Sequence, residues 1–182
     1  EKMGMKTTTI EMDNFLLDRD FRDNKVMGKE TTHFKLFKRS LLEILEGKKI
    51  TIPRYDSLSA SSSHDLEGNL RPGCFPLEVE PADIIFLEGN FPFQMEEIAG
   101  LIGLKVVYLT DDPVRLKRKW KRDIDYRKNY DPAHFRNRFF KTQFQRAEDV
   151  YRPQIEKCDI VVDTTGAALW VTPELVDILG LD

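Results

Sequence analysis

The 182-residue sequence has little cysteine, only Cys74 and Cys158, far apart and without metal-ligand spacing. Two such thiols make no disulfide framework and fit a reducing compartment, so a cytoplasmic location is expected. No apolar run approaches the roughly 20 residues that cross a bilayer, and no signal-peptide pattern is visible, which argues against a membrane protein. Net charge is also scarce: 28 Lys and Arg stand against 31 Asp and Glu, a formal −3. That balance excludes a globally basic nucleic-acid binder while leaving room for a local basic patch. There is no internal repeat and no low-complexity linker longer than a loop. What is abundant is apolar and ionic at once. Hydrophobic residues make up 41% of the chain, with 12 Phe, and charged residues 32%. A length of this order suits one domain with a real core. The chain opens Glu1-Lys2-Met3-Gly4 rather than on an initiator Met, so a piece of something longer is the expectation.

Four short apolar segments read as strands: 6–12, 83–87, 105–109 and 158–162. Each runs into acidic or turn residues (Asp13-Asn14, Glu88-Gly89-Asn90, Asp111-Asp112-Pro113, Asp163-Thr164-Thr165-Gly166). Continuous apolar runs of this kind predict strands buried on both faces of a parallel sheet. Helices are predicted over 34–46, with Gly47 as the stop, over 114–126, over 132–157, and from Thr172-Pro173-Glu174 onward. Residues 50–80, punctuated by Pro, Gly and Ser, read as an inserted β-hairpin. The fold class is therefore α/β, a doubly wound and mostly parallel sheet with flanking helices. In such sheets ligands bind outside the carboxyl ends of the strands.

Chemistry is sought there. Asp13 ends the first strand and could take a proton from a hydroxyl or hold a metal-bound water; a plain turn residue is the alternative. Glu88 ends a wholly apolar strand and must face solvent, a partner or a cation, with Gly89 allowing close backbone approach. Between Arg115 and Lys128 eight basic residues stand against two acidic ones. Arg115, Arg118 and Arg122 lie at i, i+3 and i+7, on one helical face suited to polyphosphate oxygens. A solvated helix face and a nucleic-acid patch are the competing readings, the latter with little aromatic interleaving beyond Trp120 and Tyr126. Tyr55-Asp56 opens the hairpin, where an aromatic could stack on a planar group. His33, His64 and His134 are scattered and supply no zinc site. Ser61-Ser62-Ser63 reads as a flexible loop.

Four landmarks occur in order: Met12-Asp13-Asn14-Phe15, the 45–56 segment ending Ile52-Pro53-Arg54-Tyr55-Asp56, the 82–90 strand ending Leu87-Glu88-Gly89-Asn90, and the basic run 115–123. Together they resemble the uridine kinase/phosphoribulokinase family of P-loop kinases, over about Lys6 to Thr165. The resemblance implies an ATP-dependent, Mg²⁺-assisted phosphotransferase acting on a hydroxyl of a small nucleoside-like or sugar-like acceptor. It implies Asp13 as the acid that activates the acceptor hydroxyl and Glu88, with Asp13, close to magnesium. Tyr55, Asp56 and Glu30 would lie on the acceptor side. Arg115, Arg118, Arg122 and Arg127 would belong to a basic lid (113–130) that closes over phosphates.

Three departures concern the acceptor. Phe15-Leu16 stands where uridine kinases carry Phe-Tyr, Ala60 stands near an expected His with His64 the nearest candidate, and Lys128 replaces a Gly. A fourth is an absence: Gly-x-x-x-x-Gly-Lys-[Ser/Thr] does not occur, and Gly28-Lys29-Glu30 lacks the hydroxyl residue. The expectation is a single kinase-like domain whose first strand, P-loop and helix are not in this chain, leaving it inactive alone. A non-catalytic binding module that keeps the kinase fold is the alternative function. Membrane and nucleic-acid partners are not expected, and a homo-oligomer stays open.

Overall fold

In the computed structural model the described residues are 4–23, 25, 27–126, 131–133, 136 and 150–180. Arg127, His134 and most of the predicted 132–157 helix lie outside them. The chain divides into two compact units, Glu1–Leu101 and Ile102–Asp182.

In the first unit β1 (Thr7–Glu11) pairs in parallel with β6 (Ile84–Glu88), in register from Thr7 opposite Ile84 to Glu11 opposite Glu88. A 3-10 turn (Met12–Phe15) and a short helix α1 (Arg19–Arg22) follow β1. A second 3-10 turn (Lys29–Thr31) then leads into α2 (Phe34–Leu45). Helix α2 buries Phe37, Ser40, Leu41 and Ile44, spaced so that one stripe faces the core. It ends as predicted at Gly47, whose φ of +80° is a conformation glycine adopts without steric cost. There the Gly47 N–H donates to Ile44 O and the Lys48 N–H to Glu43 O, closing the helix with the paired bonds of a Schellman motif.

The 50–80 insertion is a nested hairpin. Strand β2 (Ile50–Ile52) pairs antiparallel with β5 (Leu77–Val79), and β3 (Tyr55–Asp56) with β4 (Ser61–Ser62). The core of this unit gathers Ile10, Met12, Phe15, Phe37, Phe91, Met95 and Ile98, all at most 2% exposed. Phe15 and Phe37 meet at a ring-centroid distance of 4.6 Å. A helix α3 (Glu96–Ala99) closes the segment.

In the second unit β7 (Val106–Leu109) pairs in parallel with β8 (Ile160–Asp163), which pairs antiparallel with β9 (Ala168–Val171). Helix α4 (Asp112–Trp120) follows β7 and continues as a π-helix over Lys121–Tyr126. Helix α5 (Arg152–Ile155) precedes β8, and α6 (Pro173–Leu179) follows β9 with Thr172 as its N-cap residue.

Two expectations are corrected. Burial on both strand faces fails: Ile84 is 39%, Phe86 55% and Tyr108 70% exposed. Among the described residues β1 and β6 form a two-stranded sheet and β7 lies at the edge of a three-stranded one, too few strands for both faces to be covered. Ser61-Ser62-Ser63 is no flexible loop. Ser61 and Ser62 form β4, and Ser62 and Ser63 are buried, with backbone and hydroxyl groups hydrogen-bonded.

Candidate active site

The carboxyl ends of β1 and β6 bring three acids together. Glu11 and Glu88 are register partners, and Asp13 lies two residues beyond Glu11 in the 3-10 turn. The approach is close because of Gly89. A Cβ there would stand 2.6 Å from Met12 Cβ and 2.8 Å from Met12 Sδ, and Met12 is fully buried. Partial burial pushes the Glu88 carboxyl up, and the negative charges of Asp13 and Glu11 push it further. Two like charges at a strand end favour a cation. Magnesium keeps several waters and takes one or two hard carboxylate oxygens alongside substrate phosphates, so Asp13 and Glu88 are the residues that could hold it. No group of three or more His, Cys, Asp or Glu suited to a metal occurs among the described residues.

The hairpin is fastened to the loop that carries Asp13. The Tyr55 N–H donates to Asn14 Oδ1 at 3.2 Å. The Arg22 guanidinium donates through Nη2 to the Tyr55 hydroxyl, and its carbon lies 5.2 Å from the Tyr55 ring centroid. The Arg19 N–H donates to Ala60 O at 3.0 Å, and the Ser62 N–H to Asp18 Oδ1 at 2.6 Å. Asp18 is held in turn by Arg71, whose Nη2 donates to Oδ2 at 2.8 Å. Burial alone would raise the Asp18 carboxyl, but the Arg71 and Ser62 hydrogen bonds hold it below the ordinary range.

Beside this pair sit two histidines that sequence spacing did not connect. His33 and His64 are 6% and 9% exposed, with ring centroids 6.3 Å apart. His33 Nε2 lies 3.2 Å from Ser62 Oγ, and His64 Nδ1 lies 2.9 Å from Ser63 Oγ. Burial holds both imidazoles below their usual value.

Other predicted residues take plainer places. The Asp56 carboxylate accepts the Leu58 N–H and the Ser59 hydroxyl, so it shapes its own turn, and these bonds lower its pKa. Glu30 is exposed in the Lys29–Thr31 turn, which the Leu17 N–H joins at Thr31 O. A cavity of about 440 Å³ opens at the opposite end of the strand pair, lined by Met5, Lys6, Thr7 and Pro81 among others, and contains none of the predicted site residues.

The predicted arginines stand in the second unit. Arg115 and Arg118 lie in α4, and Arg122 lies in the π-helical Lys121–Tyr126 segment that continues it. Arg115 pairs with Asp112, and the Arg118 Nη1 donates to Thr164 Oγ1 at 3.1 Å, next to the end of β8. Arg122 Nε lies 3.2 Å from Asp123 Oδ1, and Lys119 Nζ lies 2.9 Å from Asp123 Oδ2. Burial would raise the Asp123 carboxyl, but these two cations bring it below the ordinary range.

The chain is 35% identical over 92 residues to a uridine kinase of Lactobacillus helveticus, covering 50% of this chain and 39% of that protein. It is 31% identical over 131 residues to uridine-cytidine kinase A of Dictyostelium discoideum, covering 71% and 24%. The chain thus spans less than half the length of either relative. Among solved structures it resembles the phosphoribulokinase from Rhodobacter spheroides at a TM-score of 0.57 and 18% identity, covering 89% of this chain and 61% of that one. That likeness shows the fold class, α/β with parallel strands and flanking helices. The model of the Phosphoribulokinase / Uridine kinase family matches residues 3–169, from before β1 to within β9, and the chain belongs to that family.

Proposed function

We propose that the protein moves the γ-phosphoryl group of ATP to a hydroxyl of a small nucleoside-like or sugar-like acceptor. The observation that carries this reading is the convergence of Asp13 and Glu88 at the carboxyl end of a parallel strand pair, with Tyr55 clamped to the same loop. Similarity to uridine and uridine-cytidine kinases supports a nucleoside-like acceptor. The non-catalytic alternative finds no support among these relatives.

Asp13 takes the proton of the acceptor hydroxyl as that oxygen attacks phosphorus. Glu88, with Asp13, holds magnesium, which when bound neutralises charge on the phosphates. Tyr55 and the turn shaped by Asp56 form the acceptor side, to which Glu30 adds an exposed acid. Arg115, Arg118, Arg122 and Arg127 balance the charge of the transferring group. The test is ADP release by the full-length protein with Mg-ATP and a panel of nucleosides and sugars. Acceptor-dependent ADP formation is expected, and no turnover with any acceptor overturns the reading.

A further inference from the structure

We infer that Arg22 is a positioning residue for Tyr55, setting acceptor affinity without touching the acceptor. This rests on the acceptor-side reading of Tyr55 given above. Two features of the local structure lead to it.

The first is how Arg22 is held. Its Nε donates to Leu17 O at 2.7 Å and its Nη2 to the Tyr55 hydroxyl, so one planar fork spans a backbone carbonyl and a phenol. These neutral acceptors, together with the Tyr55 ring beneath the guanidinium, order its long side chain. A side chain with this much rotamer freedom is not ordered at a half-buried position without such anchors.

The second is what Tyr55 is tied to. Its backbone N–H bonds to the side chain of Asn14, the neighbour of Asp13, while its hydroxyl bonds to Arg22 at the end of α1. The ring is thus fixed at both ends by the segment that begins with Asp13. Asn14 sets where the strand lies, and Arg22 sets where the ring points. A lysine in place of Arg22 keeps the charge but cannot reach both Leu17 O and the phenol, because only the guanidinium has a rigid fork. Geometry, rather than charge, is therefore the property that matters.

The test combines a spectroscopic and a kinetic arm in the full-length protein. With 3-fluorotyrosine placed at position 55, the ¹⁹F resonance of the ring is compared in wild type, Arg22→Gln and Arg22→Lys. A shifted or broadened resonance in both variants is expected, and an unchanged resonance overturns the proposal whether or not the protein is active. In the kinetic arm, Arg22→Gln, Arg22→Lys, Tyr55→Phe and the Arg22→Gln/Tyr55→Phe double variant are compared. Each single change is expected to raise the acceptor KM about tenfold, the loss of one charge-assisted hydrogen bond, with kcat and the KM for ATP held within about twofold. The double variant is expected to match the singles, since Arg22 acts through the Tyr55 hydroxyl. Multiplying effects, or rescue by Arg22→Lys, would mean that Arg22 meets the acceptor directly and overturns the proposal. If no acceptor is turned over by the wild type, the functional reading fails, and the ¹⁹F arm alone decides the role of Arg22.

Discussion

Replacing Asp18 by alanine attacks the fastening between the Asp13 loop and the hairpin. Its carboxylate accepts three bonds, from Arg71 Nη2 at 2.8 Å, Arg71 Nη1 at 3.3 Å and the Ser62 N–H at 2.6 Å. The Asp18 and Arg71 side chains are 21% and 33% exposed, and Ser62 is 3% exposed. Losing the charged hydrogen bonds costs about 1.5–3 kcal/mol, and leaving a buried N–H unmet costs about 1–3 kcal/mol more. Water can reach the partly exposed guanidinium, so the low end of each range applies and the sum is about 2.5 kcal/mol. Asp18→Asn keeps an acceptor for the Ser62 N–H and should lose about half of that. Urea unfolding followed by circular dichroism reads both values. The pH dependence has a definite sign: the Asp18 carboxyl is held below its ordinary 3.8, so its contribution is present above that pH and is lost as pH falls further. A loss below about 0.5 kcal/mol for Asp18→Ala, or equal losses for the two variants, refutes the reasoning.

Other expectations are as direct. His33 and His64 are held below their ordinary 6.5 by burial, with Arg71 also disfavouring their charge and Asp65 opposing, joined at His33 by Asp18. The unfolded chain therefore binds protons first. Stability should be level above about pH 7 and fall as pH drops below about 6.5; a urea midpoint that stays flat or rises to pH 5 contradicts this. Gly89→Ala places a Cβ 2.6 Å from the buried Met12 Cβ and should lower stability by about 1–3 kcal/mol in thermal unfolding. Glu88→Gln removes one of the two carboxylates proposed to hold magnesium and should raise the Mg²⁺ concentration for half-maximal phosphotransfer by at least about tenfold.

Much of this was legible in the residues. The strands at 7–11, 84–88, 106–109 and 160–163 fall where apolar runs met acidic turns, because strand ends that reach water need groups that tolerate it. Glu88-Gly89 announced itself as well, since a glycine after a strand-end acid signals the tight approach that Met12 confirms. The buried cluster did not. Asp18, His33, Ser62 and Arg71 are separated by up to 53 residues, and only the folding of the hairpin onto the Asp13 loop brings them together. Strand β9 was missed because Ala168–Val171 is short and follows a turn tightened by the Asp163 carboxylate, which accepts the Thr165 and Gly166 N–H groups. The π-helical end of the basic helix has no periodicity signal of its own, so the change of bonding at Lys121 was not legible.

The central claim is that Asp13 acts as the base in phosphoryl transfer, and single-turnover ADP formation by the full-length protein with its best acceptor tests it most directly. Asp13→Asn should slow the chemical step by about 10²–10⁴-fold while the KM for ATP changes less than about threefold. An Asp13→Asn protein that turns over at the wild-type rate contradicts it.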